Sequence, residues 1–540
     1  MVVNDNRFKK TKKIQKRKEA STSKVYRIEK SVDLSVYSNG LSGKKKVQAV
    51  DELSSFSELR LGENPNLAWM PNKLLASSNF FKIEGDMKNS QIYTDSIVEE
   101  RELMLGIDFG TSSVKVVIGD SVLNKAFAVP FYNVLGVTKF LLPSHIYRSD
   151  KSFSLFGGEQ VHRNLKLSFL ENPKCEDCQY CVIAFLSLVI KYSRSWLLQE
   201  YASLYKNVRI FWRMAVGLPT NNYQHNDIKA IFDRLCWSAW LAANSNVGMC
   251  ITNSSISQAS KRVNELKMNL LPTSEEDIEL SIVPEITAQI YGHVASDNFD
   301  KKAANNFLLV DVGAGTVDTC LFHVEQIKGK WDFEFYTFNV ESLGTANLNR
   351  HRLDWLKSEL ERKKPFPTGL VNAIAEIREV TDFQNPLPDD IGQYLSNVKL
   401  VFASNKANPD YKFFTKILEQ IKTKTFWRAW HENHLEQVAL KGIPTYLCGG
   451  GMRLPYYQNI AKALSNTPNY SWMEMSVRRM NVPKNLIAEG LSAVDYDRLS
   501  VAYGLSFLNV GRIVKAVSKP KIQTKEAIEW RSNYVDKDQC

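Results

Sequence analysis

Two aspartates, Asp108 and Asp311, each end an apolar run and precede a turn of small residues. Such a turn brings backbone N–H groups and hydroxyls close to phosphate oxygens. A carboxylate beside it suits a hydrated Mg²⁺, which keeps several waters and needs few protein ligands. The turn residues are Gly110, Thr111 and Ser112 in the first copy and Gly313, Ala314, Gly315 and Thr316 in the second. One copy is an ordinary turn in many proteins, but two copies roughly 200 residues apart predict a duplicated unit that holds a polyphosphate from both sides.

A third segment places Gly449, Gly450 and Gly451 between an apolar run and a helical pattern. Bare backbone lets a flat ring or a ribose approach closely, and Arg453 is predicted to lie against an adenine face. A run of three glycines is more often a plain loop than a nucleotide site. The segment therefore indicates a nucleotide site only in combination with the two aspartate turns.

The elements that must position these residues follow an α/β pattern. From Leu103 onward, β-branched runs separated by glycine alternate with long helical stretches. The predicted strands are Met104–Ile107, Val114–Ile118, Val208–Val216, Phe307–Asp311, Thr319–Val324 and Thr445–Cys448. The predicted helices are Ile183–Leu204, Asp227–Ala242, Leu348–Arg362, Tyr411–Ala439 and Tyr456–Leu464.

Length and composition indicate a globular protein of two or more domains. The chain has 540 residues, of which 44% are hydrophobic and 24% charged, and this length exceeds one simple core. The longest apolar run, Cys181–Ile190, is shorter than the roughly 20 residues of a membrane helix and predicts a buried helix. The N-terminus lacks the apolar region of a secretory signal, so a cytoplasmic location is expected.

The basic excess is concentrated in an N-terminal extension, residues 1–98. The net charge of the chain is +11, and residues 1–50 hold 14 Lys or Arg against 4 Asp or Glu. Weakly periodic, Ser-rich sequence follows, which cannot bury enough apolar area to offset its ordering entropy, so the extension is predicted to be largely disordered. The basic block 7–18 is interpreted as a solvated tail, with contact to nucleic acid or an anionic surface as the alternative.

Eight scattered cysteines predict no disulfide framework and suit a reducing compartment. One group stands apart: Cys175, Cys178 and Cys181 are spaced by two residues, and His162 lies upstream. These residue types suit a zinc or iron–sulfur site, which would need a fourth ligand at a workable distance. The alternative is that the cysteines are small buried hydrophobes at the start of the apolar run.

In order and residue type, these motifs resemble the actin-like ATPase superfamily, and most closely the nucleotide-binding domain of DnaK-type heat-shock chaperones. Asp108–Thr111 resembles the first phosphate motif, Asp311–Asp318 the second, and Gly449–Pro455 the adenosine motif. Pro284–Gly292 and Asp497–Leu505 resemble the two connecting helices. The resemblance implies a duplicated ribonuclease-H-like fold, with two lobes around a nucleotide cleft. Lobe I would cover 99–300, lobe II 301–512 with a return to lobe I at its C-terminal end, and a polar tail 513–540.

The resemblance also implies ATP and Mg²⁺ as ligands and assigns roles to single residues. Asp108 and Asp311 would hold Mg²⁺ through water, the two turns would cradle the phosphates, and Glu285 would orient or deprotonate the attacking water. The alternative for Glu285 is a carboxylate on a helix surface. The remaining assignments are a phosphate-side loop at Gly344 and Thr345 and a ribose contact at Lys399.

Three departures from the chaperone pattern matter. Lys115 stands where actins, plasmid-segregating actin-like proteins and carbohydrate kinases have a lysine, and a cation there would neutralise phosphate charge; the alternative is an outward-facing strand lysine. Gly451 and Met452 replace hydroxyl residues of the adenosine motif, which weakens the expectation of adenine over guanine. No apolar linker or β-rich peptide-binding domain is found after Gly511, so direct clamping of unfolded peptides is not expected.

Three functions fit these features. The first is a chaperone-like ATPase switch, hydrolysing ATP to ADP and phosphate and acting through protein partners, with the basic tail as a tether. The second is an actin-like filament protein of the plasmid-segregation kind, which Lys115 favours. The third is a small-molecule kinase, because Gly106–Lys115 also resembles the opening of carbohydrate kinases, although no catalytic Asp loop of the kinase kind is found.

Overall fold

The computed structural model describes most of the chain from residue 99 to residue 515. The described residues are 47–48, 58–59, 80–83, 85 and 99–515, the last range with gaps at 246–248, 268–278, 295–298, 300–304, 363–370, 373, 376–377, 379–386, 395–399, 401, 403, 468–469 and 508–509. Most of the extension 1–98 and most of the tail 513–540 lie outside the described residues, as does Lys399, the predicted ribose contact.

The described strands form four sheets. In chain order they are β1 (Val47–Gln48), β2 (Glu58–Leu59), β3 (Glu99–Phe109), β4 (Ser113–Asp120), β5 (Lys125–Ala128), β6 (Leu142–Pro143), β7 (Ile146–Ser149), β8 (Ser152–Ser154), β9 (Gln160–His162), β10 (Val208–Leu218), β11 (Ile251–Thr252), β12 (Glu279–Pro284), β13 (Asn306–Val312), β14 (Val317–Ile327), β15 (Lys330–Glu341), β16 (Pro444–Cys448), β17 (Ser476–Arg478), β18 (Leu486–Ile487) and β19 (Val510–Lys515). Each of the six predicted strands lies within one of these and is confirmed.

Helices connect the strands. In chain order they are α1 (Leu165–Glu171), α2 (Glu176–Glu200), α3 (Ala202–Tyr205), α4 (Thr220–Tyr223), α5 (Asn226–Ser245), α6 (Asn253–Lys267), α7 (Glu285–Val294), α8 (Thr345–Glu361), α9 (Pro409–Leu418), α10 (Arg428–His431), α11 (Gln437–Leu440), α12 (Pro455–Ser465) and α13 (Ser500–Ser506). The mixed α/β class predicted from the sequence is confirmed.

The two large sheets share one plan. The seven-stranded sheet has the order β12-β10-β3-β4-β5-β18, with β6 against β4, and the six-stranded sheet has the order β17-β16-β13-β14-β15-β19. In the first, β3, β4 and β5 are antiparallel neighbours, whereas β10 is parallel to both β3 and β12, and β18 is parallel to β5. In the second, β13, β14 and β15 are antiparallel, whereas β16 is parallel to both β13 and β17, and β19 is parallel to β15. Order and direction therefore match strand for strand.

The central strands are apolar because sheets with a parallel part are covered on both faces. Phe307, Leu308, Leu309 and Val310 of β13 are all buried, and this continuous run is what made the strand predictable. A smaller antiparallel sheet of order β11-β8-β7-β9 lies beside the first core, where Phe153 of β8 is buried. This small sheet was not predicted, because its strands are short and alternate weakly.

Helix α2 contains the longest apolar run and is confirmed as a buried helix. Within the described part of the chain it is the one helix long and apolar enough to cross a membrane, and its apolar window is entirely buried inside the protein. The prediction Ile183–Leu204 began too late, since the helix starts at Glu176. Cys175 is its N-cap residue, and the Cys178 N–H donates to Cys175 Sγ at 3.4 Å.

The predicted helix Tyr411–Ala439 is too long, because continuous helical backbone runs from Pro409 to His431 and α11 follows as a separate helix. A π-helical stretch, Glu419–Trp427, follows α9, and its wider turn directs polar side chains inward. Gln420 Nε2 donates to the Val317 carbonyl of β14 at 2.6 Å. Asn433 then takes a left-handed φ of 60°, which ends the helical path before α11. The hydrogen bond to β14 thus belongs to the π-helical stretch, whereas the turn at 432–436 ends the helix.

Two segments differ from the predicted boundaries. Residues 80–83 fall in the extension 1–98, yet Phe80 packs edge-on against Tyr132 with ring centroids 5.4 Å apart, and the Phe81 N–H donates to the Phe131 carbonyl at 2.9 Å. An aromatic side chain that joins the first core in this way has enough apolar area to be ordered. At the other end, β19 crosses position 512 and pairs with β15.

Helices α7 and α13 join the two sheets. Ile286 and Ile290 of α7 are buried in the same core as Leu309 of β13. Gly504 of α13 lies against α7, and a Cβ on it would be 1.8 Å from the Ala288 carbonyl oxygen. The absence of a side chain at Gly504 thus permits a helix–helix contact that fixes α7 between the two halves of the molecule.

Candidate functional site

A cleft of about 580 Å³ is lined by residues from both large sheets. Predicted site residues that line it are Asp108, Gly110, Thr111, Ser112, Lys115, Glu285, Asp311, Gly313, Ala314, Thr316, Thr345, Gly449, Gly450, Gly451 and Arg453. Gly315 and Gly344 are not among the lining residues. The fold thus brings together motifs that lie more than 300 residues apart in the chain.

The two aspartate hairpins have the same register. Asp108 of β3 is opposite Lys115 of β4, and Asp311 of β13 is opposite Asp318 of β14. The two aspartates therefore occupy equivalent places in the two sheets and approach the cleft from opposite halves. Their cross-strand partners differ in charge, and this difference gives the two carboxylates different environments.

Asp108 is neutralised by an ion pair. Lys115 Nζ donates to Asp108 Oδ2 at 2.9 Å, and both side chains are buried. The alternative of an outward-facing strand lysine is therefore wrong. A buried ammonium at this place holds positive charge in the cleft wall and leaves Asp108 Oδ1 free of this bond.

Asp311 faces a cluster of carboxylates instead. Gln289 Nε2 donates to Asp311 Oδ2 at 3.1 Å. Burial, followed by the carboxylates of Asp318 and Glu285, raises the pKa of Asp311 to about 7. Burial also raises the pKa of Asp318 to about 6. Buried carboxylates close together disfavour one another's ionised form, and a cation placed among them would offset this repulsion.

Glu285 begins α7 and reaches the cleft, so the alternative of a helix-surface carboxylate is wrong. Its Oε1 accepts a hydrogen bond from Lys166 Nζ of α1 at 2.5 Å. Burial raises the pKa of Glu285, whereas Lys166 lowers it. Gly217 at the end of β10 makes room for the side chain, because a Cβ there would be 2.9 Å from Glu285 Cγ.

The segment Gly449–Gly451 lines the cleft with backbone, and there is no space for side chains at Gly449 or Gly451. Gly449 has a φ of 89°, and a Cβ on it would be 2.1 Å from Asp311 Oδ1. A Cβ on Gly451 would be 2.3 Å from Val312 Cγ1. The backbone of this segment therefore packs directly on the end of β13 and presents bare peptide groups to the cleft.

Arg453 lines the cleft but is held by carboxylates. Its guanidinium donates to Asp495 Oδ1 and Asp497 Oδ1, each at 2.8 Å, and to the Gly449 carbonyl at 3.3 Å. A guanidinium with these partners is committed to bridging the glycine segment and the segment before α13. The predicted adenine contact would have to use the flat face of the Arg453 guanidinium while the N–H groups at its edge stay bound to the carboxylates.

Gly315 and Gly344 do not line the cleft but take part in backbone hydrogen bonds behind it. The Gly344 N–H donates to the Gly315 carbonyl at 3.3 Å, and the next two N–H groups, of Thr345 and Ala346, donate to the Gly313 and Ala314 carbonyls at 3.1 and 2.8 Å. The start of α8 thus fixes the shape of the second turn. Thr345 alone of the predicted Gly344–Thr345 pair lines the cleft.

Several cleft residues were not among the predicted site residues, and they include Lys166, Gln289, Asp318 and Arg498. Gln289 and Asp318 had a local signal, since each lies four or seven residues after a predicted site residue on the same helix or hairpin. Arg498, whose Nη2 donates to Ser113 Oγ at 3.4 Å, lies in a predicted connecting helix motif. Lys166 had none, because its place depends on how α1 packs.

The residues present fit a polyanion with a divalent cation. Asp318 Oδ1 and Gln289 Oε1 are buried and have no hydrogen-bond partner within the described part of the chain. Buried acceptors are almost always satisfied, so these two indicate a cation or ordered water at this place. Peptide N–H groups of the two turns and the ammonium groups of Lys115 and Lys166 complement phosphate oxygens.

Comparison with protein-family models and with curated proteins finds no match for this chain.

Proposed function

We propose that the two large sheets are the halves of a duplicated ribonuclease-H-like fold, as in the actin-like ATPases. The matching strand order and directions support this interpretation. The equivalent hairpin positions of Asp108 and Asp311 support it further. Lobe I would then be 99–300 and lobe II 301–512, with the chain returning to the first sheet at β18.

We infer that the cleft binds ATP with Mg²⁺ and hydrolyses it, and that the protein is a chaperone-like switch that acts through protein partners. One observation carries this proposal: two hairpins of equal register present Asp108 and Asp311 to one cleft, beside the carboxylate of Glu285. Phosphoryl transfer depends chiefly on positioning and on neutralising charge, and the lining residues supply both.

Asp108 and Asp311 would hold Mg²⁺ through its waters. When bound, Mg²⁺ neutralises phosphate charge and makes the terminal phosphorus more open to attack. Lys115 keeps Asp108 in place by their ion pair, and Gln289 does the same for Asp311. The turns 110–112 and 313–316 would bind phosphate oxygens from opposite sides.

Glu285 is the group suited to accept the proton of the attacking water. A carboxylate whose pKa is raised by burial is a stronger base than an exposed one, and Lys166 keeps it oriented into the cleft. The Lys166 ammonium is also within the cleft and would stabilise negative charge on the transferred phosphoryl group.

Replacing Glu285 with glutamine is expected to lower the turnover number for ATP by about 10²- to 10⁴-fold, because a general base contributes on this order. Nucleotide affinity should change little, since the amide keeps the shape of the side chain. Steady-state phosphate release and nucleotide titration measure the two quantities. Glu279→Gln, an exposed change at the start of β12, is the matched control. Equal turnover in Glu285→Gln and wild type would contradict the assigned base.

Nucleotide binding tests the proposal as a whole. Titration calorimetry with ATP and Mg²⁺ is expected to give one site per chain, with affinity at least about tenfold weaker in EDTA, because two carboxylates face the phosphates. GTP in the same titration measures the selectivity for adenine over guanine. Because carboxylates already bind the edge of the Arg453 guanidinium, this selectivity would depend on the backbone of 449–451. An absence of binding by any nucleoside triphosphate would refute the function.

A switch also requires a partner that distinguishes nucleotide states. A ligand contacted by both halves favours the arrangement in which they are close, and this changes the outer surface presented to other proteins. Capture of partners from a lysate with ATP-loaded Glu285→Gln and with nucleotide-free protein compares the two states. The same proteins in both samples would argue against a switch.

A filament protein is the second candidate, and the buried position of Lys115 in the cleft favours it, since actin-like filament proteins are among those with a lysine there. Ultracentrifuge pelleting at micromolar concentration with ATP, ADP and no nucleotide separates the two candidates. Nucleotide-dependent pelleting would support the filament, whereas soluble protein under all three conditions would support the switch.

A further inference from the structure

A group of metal-ligating side chains lies outside the cleft, where β9 meets the start of α2. His162 ends β9, whereas Asp177 and Cys181 lie one turn apart on α2. One ligand atom from each of the three residues, the imidazole nitrogen, a carboxylate oxygen and the thiol sulfur, lies within 4.8 Å of the others. Strand β9 and helix α2 thus bring together residues that are distant in the chain.

The imidazole points to a ligand independently of this proximity. His162 Nε2 is buried and has no hydrogen-bond partner among the residues that the structure describes. A buried ring nitrogen without a partner carries the full cost of its desolvation, and a metal ion at the centre of the group would remove that cost. Cys181 is also buried, so two of the three donors are shielded from water.

The third donor remains accessible. The Asp177 side chain is 59% exposed, and its Oδ1 accepts a hydrogen bond from Arg148 Nη1 at 2.9 Å. A carboxylate has a second oxygen, and hydrogen-bonded carboxylates are common as metal ligands because the outer partner fixes their orientation. Arg148 of β7 would act as that outer partner and would stay in place when a metal binds.

The structure separates Cys181 from the other two cysteines of the motif. Cys175 is the N-cap of α2, where its sulfur accepts the Cys178 N–H, and neither residue belongs to the group around His162. A divalent cation bound by the Cys181 sulfur displaces the thiol proton.

We propose that His162, Asp177 and Cys181 form a Zn²⁺ site with water as the fourth ligand. One nitrogen, one oxygen and one sulfur donor form a set that zinc accepts in tetrahedral geometry. Tetrahedral zinc places its ligand atoms roughly 3.5 Å apart, so atoms that already lie within 4.8 Å of one another need only a small movement to bind it. Zn²⁺ joins β9 to α2 and closes the segment 163–176, which contains α1.

Metal content of the full-length protein tests this site. After incubation with Zn²⁺ and removal of the excess, mass spectrometry is expected to find one zinc per wild-type chain. With Co²⁺ as the probe, a sulfur-to-cobalt charge-transfer band should appear. His162→Ala and Cys181→Ser should weaken Zn²⁺ binding by at least about 10- to 100-fold. Asp177→Asn changes an exposed residue, so it keeps the test valid if a buried variant does not fold.

Cys178→Ser is the matched control, because it removes a thiol one turn before Cys181 on the same helix. It should keep the zinc and the cobalt band. Hydrogen exchange across 163–176 should slow with Zn²⁺ in wild type and not in Asp177→Asn. A wild-type chain without zinc at micromolar concentrations, or equal loss of zinc in Cys178→Ser and Cys181→Ser, would overturn the ligand set. None of these measurements uses nucleotide, so they stand apart from the outcome of ATP binding.

Discussion

Replacing Asp311 with alanine is expected to abolish ATP hydrolysis and to remove the Mg²⁺ dependence of ATP binding. Asp311 is the cleft carboxylate at the end of β13, and burial, followed by the carboxylates of Asp318 and Glu285, raises its pKa. No other carboxylate occupies the end of β13, so the variant loses one of the two groups proposed to hold the metal. Phosphate release and calorimetry with and without EDTA measure both effects.

The control for this variant is Asp354→Ala, which removes a half-exposed carboxylate of α8 paired with Arg378. Exposed ion pairs of this kind contribute little to stability, so its ATP turnover should equal that of wild type. Turnover in Asp311→Ala within a few-fold of wild type would show that the hairpins do not form the ATP site.

The raised pKa of Asp311 predicts how the free energy of unfolding depends on pH. The pKa of Asp311 rises from 3.8 to about 7 in the folded state, so the metal-free fold binds more protons than the unfolded chain between those values. The free energy of unfolding therefore falls as the pH rises through this window. The Asp311→Asn variant lacks this titrating group, so its free energy of unfolding should fall less steeply with pH than that of wild type. Urea denaturation of metal-free protein at several pH values checks it, and identical slopes would contradict the raised pKa.

Replacing Gly504 with alanine is expected to destabilise the fold by about 3 kcal/mol, at the upper end of overpacking effects. The new methyl carbon would lie 1.8 Å from the Ala288 carbonyl oxygen, and a backbone atom of α7 cannot move aside alone. Helices α7 and α13 must separate, which displaces Glu285 and Gln289 from the cleft. Urea denaturation measures the loss, and ATP affinity should fall with it.

Gly392→Ala is the matched control for Gly504→Ala. The nearest atom to its added Cβ is Asp390 Oδ1 at 3.0 Å, and the end of a flexible side chain can move. Its unfolding free energy should stay within about 1 kcal/mol of wild type. A similarly small change in Gly504→Ala would show that α7 and α13 are not in direct backbone contact.

Local pattern was enough to predict the parts of the site that lie at strand ends. The runs before Asp108 and Asp311 are apolar because central strands are buried on both faces, and the small residues after them signal turns. Both features depend only on residues that are consecutive in the chain, so they can be recognised without the fold. The sequence therefore determined the α/β class, the six predicted strands and the two hairpins, and the equal spacing from Asp108 to Lys115 and from Asp311 to Asp318.

Tertiary structure decided the partners of these residues. Lys166 meets Glu285 because α1 packs at the cleft, and this contact had no sequence signal. The sequence grouped His162 with three cysteines, but only the folded chain shows that Cys181 is the one beside it. Arg453 was expected to face a base, but nearby carboxylates bind its edge. The helix expected at 411–439 ends at His431, because Asn433 takes a left-handed φ of 60°. A one-dimensional pattern records which residues are apolar or small, whereas charge pairing and helix packing depend on distances that only the folded chain sets.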